Sequence, residues 1–283
     1  APDQNHGIMA CTLASSALNP DLILLVGDVV QEGGRLEDWD EFFRKTNDRT
    51  SESFTGRLPL ASHIPFFPVL GNHDYYAGGK GGGFSQPASE ANAVHKFIEH
   101  FALPDNTART GKVDPAWPSE KNPAVRSAQN ERYYAFRYGP ATFIALDCCN
   151  QSPDQSDRDT NFYLLGENDP GGGHAPDFLP GSRQYQWLEE ALARAEDESL
   201  FTFVYWHHAP FSSGVHGQPP GKGLGRDGQS GVPTRALDRL MHQYRVTAVF
   251  NGHEEAIEIS RTLGPDAVDG SPGRLLPYFI PGT

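Results

Sequence analysis

Cysteine is scarce: Cys11 and the adjacent pair Cys148-Cys149 are the only three in 283 residues. An odd number with no Cys-x-x-Cys spacing points neither to a disulfide framework nor to a zinc-thiolate site. The neighbouring pair follows an apolar run and reads as small core residues. Long apolar runs are missing too. The longest β-like one, Leu22 to Val26, is far below the roughly 18–20 residues a membrane-crossing helix needs. Positive charge is in short supply, with 23 Lys and Arg against 36 Asp and Glu and a net charge of −13. A chain of that sign repels a nucleic-acid backbone, so no nucleic-acid scaffold is expected. A phosphate-bearing substrate stays open, because a bound metal ion reverses the local field. The triple glycines near Gly82 and Gly172 lack the spacing and the Ser/Thr of a nucleotide-cradling loop and read as flexible segments.

What the sequence does contain is enough apolar residue, 37% spread along the chain, for a large core. Leu22 to Val26 and Pro65 to Leu70 are short apolar runs, each closed by a glycine, and read as strands buried on both faces. Leu36 to Phe43 carries Trp39, Phe42 and Phe43 at helical spacing, and Ala91 to Phe101 does the same with Val94, Phe97, Ile98 and Phe101. Tyr133 to Tyr138 and Ala141 to Leu146 flank Gly139-Pro140 and predict a hairpin. Ser182 to Ala195 and Thr234 to Tyr244 predict helices, and Leu200 to Trp206 and Val246 to Phe250 predict strands. The alternation specifies an α/β layered domain. Between these elements lie long Gly-, Pro- and Asp-rich segments at 76–86, 104–130, 151–181 and 212–230, of a length usually tied to function or disorder.

Four of the strands end in short polar clusters: Gly27-Asp28, Gly71-Asn72-His73-Asp74, His207-His208 and Gly252-His253. Ligands in open α/β sheets gather at the carboxyl ends of strands, so these residues are expected to converge. A carboxylate, an amide oxygen and two imidazoles form a mixed N/O set suited to zinc, manganese or iron. Each residue alone has an ordinary explanation as a turn former, a cap or a hydrogen-bonded core histidine. The recurrence of apolar strand, glycine and ligand-type residue is what points to a metal centre.

These four motifs, in this order, resemble the calcineurin-like metallophosphoesterases, and among them the purple acid phosphatase-like branch. His207-His208-Ala209-Pro210 and the following stretch to Gly217 also fit that pattern. The resemblance implies a four-layer α-β-β-α sandwich of two mixed β-sheets flanked by helices, with the metals at one end. It implies hydrolysis of phosphate mono- or diesters by a metal-bound hydroxide at a dinuclear site. The cofactors would be two divalent ions, manganese, zinc or iron, and the partners small or macromolecular phosphate esters. By matching position, Asp28 bridges both ions, and Asn72, His207 and His253 complete the second site. His73 lies near the leaving group with Asp74 orienting it, and His216 contacts the phosphoryl oxygens. His208 falls at a variable position. The resemblance also favours a secreted or periplasmic location.

The chain departs from the family pattern in three places. An Asp-bearing strand is expected upstream of Asp21 and is absent, so Ala1 reads as a truncation point. The end at Gly282-Thr283 reads likewise, giving a single domain over 1–283 that lacks its first strand and its C-terminal end. Gln31 occupies the position of the tyrosine that colours purple acid phosphatases. In the Gly-His-x-His motif, Glu255 replaces the second imidazole: either it is a ligand favouring harder ions, or it is a solvated loop residue and the first metal site is weak or empty. The alternative function is a degenerate member that binds a phosphorylated ligand or partner without catalysis.

Overall fold

The computed structural model describes residues 18–47, 60–76, 96–104, 131–149, 176–214, 231–265 and 272–282. Strand β1 (Ile23–Leu25) pairs in parallel with β2 (Phe66–Pro68), in the register Ile23 to Phe66 and Leu25 to Pro68. The remaining strands are β3 (Tyr134–Tyr138), β4 (Ala141–Ala145), β5 (Phe201–His208), β6 (Ala248–Gly252), β7 (Ile257–Leu263) and β8 (Leu275–Pro281). They form one mixed sheet in the order β3-β4-β5-β6-β8-β7. The four central strands β4, β5, β6 and β8 are mutually parallel, so their carboxyl ends share one edge of the sheet.

Alternation along these strands divides the core in two. Phe143 and Ala145 of β4 and Tyr205 of β5 face the small sheet, where they join Leu24, Phe67 and Val69. Ile144 of β4, Val204 and Trp206 of β5 and Val249 of β6 face the other way. Phe67 stacks on Phe136 with ring centres 3.7 Å apart, which locks β2 of the small sheet onto β3 of the large one. Helix α1 (Leu36–Asn47) covers the small sheet through Trp39 and Phe42. The described end of the predicted 91–101 helix, 96–100, is helical, and its Phe97 meets Trp39 edge-on. Helices α2 (Arg183–Glu198) and α3 (Asp238–Gln243) cover the large sheet's far face with Leu188, Leu192, Leu240 and Met241. Ser182 starts α2 by accepting a hydrogen bond from Tyr185 N, as a side-chain cap should. Each fully buried leucine on that face contributes about 1.5–3 kcal/mol. The result is the α/β four-layer α-β-β-α sandwich with flanking helices.

Two of the elements show where the structure departs from expectation and why. The segment predicted as one helix from Thr234 to Tyr244 begins as a 3₁₀ turn, Val232–Leu237, with Pro233 in its first turn, and only then becomes α3. Proline has no N–H to donate and its ring crowds the preceding turn, which delays the regular helix. Strand β7 has no counterpart in the sequence reading because its alternation is inverted. Ile257, Ile259 and Leu263 are exposed, while Glu258, Ser260 and Thr262 turn inward to polar partners. Ser260 donates to the carbonyl of Phe211 and Thr262 donates to Asp238.

Candidate metal centre

The turn after β1 needs glycine: Gly27 has φ +91°, and a Cβ there would lie 2.5 Å from the His207 ring. Asp28 follows at φ +52°, a backbone region uncommon for any other residue type. His253, just after β6, is also left-handed at φ +69°. Among the described residues, two of the five such non-glycine positions are therefore expected ligands, and strain of this kind collects at functional sites. The loop after Asp28 is pinned from below, where Trp39 Nε1 of α1 donates to the carbonyl of Gly33 at 2.8 Å.

Four side chains from both sheets converge on one point. His207 Nδ1 lies 2.8 Å from the carbonyl oxygen of Val26 and donates to it, which turns Nε2 inward as the lone-pair nitrogen. Around Nε2 lie Asn72 Oδ1 at 2.9 Å, His253 Nδ1 at 3.1 Å and Asp28 Oδ2 at 3.1 Å. Asn72 Oδ1 is also 3.0 Å from His253 Nδ1. The Asn72 amide nitrogen donates to Tyr76 Oη at 3.2 Å, which leaves its oxygen facing the two imidazoles. Two carbonyl-type oxygens and two ring nitrogens so close together present more lone pairs than protons, and a cation at their centre satisfies that arrangement. The residues fit a divalent ion. Burial alone would push the Asp28 carboxyl up, but His207 beside it and the hydrogen bonds it accepts bring it down to about 2. Burial works against a charged His207, and the Asp28 carboxylate overrides it and raises the imidazole.

His73 and Asp74 sit next to this point with separate tasks. The backbone N–H of His73 donates to Asp28 Oδ1 at 2.9 Å. Its ring Nδ1 lies 2.8 Å from the carbonyl oxygen of Gln31 and 2.9 Å from Gln31 Nε2. The expected pairing of Asp74 with His73 is not what the structure holds. Asp74 Oδ2 accepts from Gly71 N at 2.8 Å and Oδ1 from Val30 N at 3.2 Å. It fastens the two ligand-bearing loops together, and the group facing the His73 ring is Gln31. Burial, with the Asp28 charge nearby, raises the Asp74 carboxyl to about 8.

Glu255 is exposed, while its neighbour Glu254 is the buried carboxylate of the pair. Among the described residues, the group of titratable side chains able to share an ion is His207, His208 and His253, and Glu255 falls outside it. The exposure follows from position: Glu255 lies in the bend between β6 and β7, already past the convergent edge. His216 lies outside the described residues.

Beneath the centre, a buried polar network that the sequence reading missed holds the Asn72 loop to the large sheet. Arg132 Nε donates to Asp147 Oδ2 at 3.0 Å, and Tyr75 Oη hydrogen-bonds both residues. Asp147 N donates to Gln184 Oε1 at 2.9 Å, and Gln184 Nε2 returns a bond to the Asp147 carbonyl at 2.7 Å. Burial pushes the Asp147 carboxyl up and the Arg132 guanidinium down, so each is held charged by the other. Tyr75 is two residues from His73, which gives this network a direct grip on the site.

The family model described as calcineurin-like phosphoesterase matches residues 8–254. Purple acid phosphatase 13 of Arabidopsis thaliana is 26% identical over 204 residues, 71% of this chain and 26% of that protein. Probable purple acid phosphatase 20 of the same plant is 22% identical over 84% of this chain and 40% of its own length. The chain thus spans less than half the length of these curated relatives. Among solved structures, purple acid phosphatase PPD1 from yellow lupin seeds superposes with a TM-score of 0.54 at 15% identity, covering 97% of this chain and 39% of that one. A dimetal phosphatase from Danio rerio does so with a TM-score of 0.50 at 13% identity, covering 97% and 76%. These likenesses bear on the fold.

Proposed function

Because the chain belongs to the calcineurin-like phosphoesterase family, we propose that it hydrolyses phosphate mono- or diesters at a dinuclear metal centre built on Asp28, Asn72, His207 and His253. The observation that carries this reading is the gathering of Asp28 Oδ2, Asn72 Oδ1 and His253 Nδ1 within 3.1 Å of His207 Nε2. Divalent ions bound there supply Lewis acidity to the phosphoryl group and lower the pKa of a water. Asp28, with one oxygen facing His207 and the other held by His73 N, would be the carboxylate that holds the ions. His73 is the leaving-group acid. It donates Nδ1–H to the Gln31 carbonyl, which leaves Nε2 as the nitrogen that passes a proton to the departing oxygen. Asp74 holds the loops in register, and His216 contacts the phosphoryl oxygens.

The test is hydrolysis of nitrophenyl phosphate and bis(nitrophenyl) phosphate by the purified chain with manganese or zinc added. Chelator abolishes the activity, and His73→Ala lowers kcat by about 10²-fold while metal content is kept. Activity that survives chelation removes the metal from the reaction. A second reading, a non-catalytic binder of a phosphorylated ligand, draws on Glu255, which is exposed and lies outside the group of described side chains able to share an ion. Metal analysis separates the two: about two ions per chain support hydrolysis, and one or none with phosphate ligand still bound supports the binder.

A further inference from the structure

Consecutive residues on a regular strand point to opposite faces, so His207 and His208 should diverge. They do not, because β5 carries an irregularity at this point. Tyr205 pairs with Phe250, but the next pair is His208 with Gly252, so three steps on β5 match two on β6. A bulge of this kind re-aims a side chain, and such bulges are frequent beside active sites. The His208 ring consequently comes to rest 5.0 Å from that of His207 and 4.5 Å from that of His253, centre to centre. The His207 and His253 rings are themselves 5.0 Å apart. Three imidazoles bound to one ion through metal–nitrogen bonds of about 2.0–2.1 Å hold their ring centres about 4.5–5.2 Å apart. One ring nitrogen of each histidine lies within 4.8 Å of the others, and all three side chains are buried.

The surroundings of His208 hold it there. Its carbonyl accepts from Trp206 Nε1 at 2.7 Å, and its Nδ1 lies 3.9 Å from Cys149 Sγ. Cys149 is engaged elsewhere: its thiol donates to the Leu70 carbonyl at 3.3 Å.

We propose that His208 is a direct ligand of the ion held by Asn72, His207 and His253, making this a three-imidazole site. The proposal rests on reading the cluster as a metal centre, and it bears on which metal binds. With Glu255 turned to solvent, a nitrogen-rich set favours zinc or cobalt over manganese or magnesium, the reverse of what a carboxylate at position 255 implies.

The experiment loads the chelator-stripped 283-residue chain with one equivalent of zinc and counts coordinated imidazoles by X-ray absorption. Isothermal titration alongside measures the affinity, and His208→Asn is treated in the same way. The expected result is three imidazoles in the wild type, two in H208N, and zinc affinity lowered by about 10-fold or more. Two imidazoles in the wild type, or an unchanged count in H208N, overturns the assignment of His208 and leaves the metal centre standing. Failure of the wild type to bind zinc, manganese or iron overturns both. Should H208N not fold, the wild-type count decides alone.

Discussion

Replacing Asp147 by asparagine tests the network beneath the centre. Arg132 and Asp147 are 1% and 0% exposed and in direct contact at 3.0 Å, so the substitution removes a carboxylate charge that faces the guanidinium in the interior. Removing one partner of such a pair costs about 3–5 kcal/mol, most of it the penalty of the charge left behind. For a domain of this size each kcal/mol moves the melting temperature by about 2–4 °C, so D147N is expected to melt roughly 6–20 °C below the wild type. Calorimetry in chelating buffer isolates the effect from metal binding. The double variant R132M/D147N removes the guanidinium as well and should melt above D147N, with a coupling of about 0.5–3 kcal/mol. A D147N melting point within about 2 °C of the wild type, or a double variant equal to the sum of the singles, refutes the argument. Because Tyr75 bridges this pair to the His73 loop, D147N should also weaken zinc binding in titration.

Three further outcomes follow from the geometry. A Cβ at position 71 would lie 2.2 Å from Asp28 Oδ1 and 2.4 Å from Asp28 N; Gly71→Ala should therefore push the ligand loops apart and weaken zinc by about tenfold or more in calorimetric titration. Cys148 and Cys149 are buried thiols, so iodoacetamide should leave their peptide unlabelled in native buffer and label it in guanidinium, as read by mass spectrometry. Leu192, on the inner face of α2, is fully buried, and Leu192→Ala should cost about 2–5 kcal/mol in denaturant melts without altering metal content.

The features legible in the sequence were those with a local signature. Strands closed by glycine, the Gly139-Pro140 hairpin and the Ser182-capped helix all declare themselves within a dozen residues, and so did the residues gathered around His207. What escaped depended on partners distant in the chain. Strand β7 hid because its polar side chains find Phe211, Asp238 and the Ser212-Ser213 turn, contacts that invert the usual pattern. Asp74 was assigned to His73 by adjacency, yet its partners are the backbone N–H groups of Gly71 and Val30, the second 44 residues away. Gln31, noticed only for the tyrosine it replaces, proves to face the His73 ring. The re-aiming of His208 needed the register between two strands, which no single segment contains.

The joining of the two sheets at the centre also has a kinetic meaning. Val26 and His207, which meet at 2.8 Å, are 181 residues apart in the chain, as are Asn72 and His253. Contacts of such sequence separation form late, after the entropy of closing a long loop has been met. An ion bound across them would act as a clasp between the two sheets, and it would stabilise the finished molecule in proportion to the logarithm of its concentration. The stripped chain should then open first along this seam. Amide exchange at the ends of β1 and β6 should quicken on metal removal while the far ends of the same strands stay protected. The residues that could hold an ion therefore come together only once the two sheets have closed on each other.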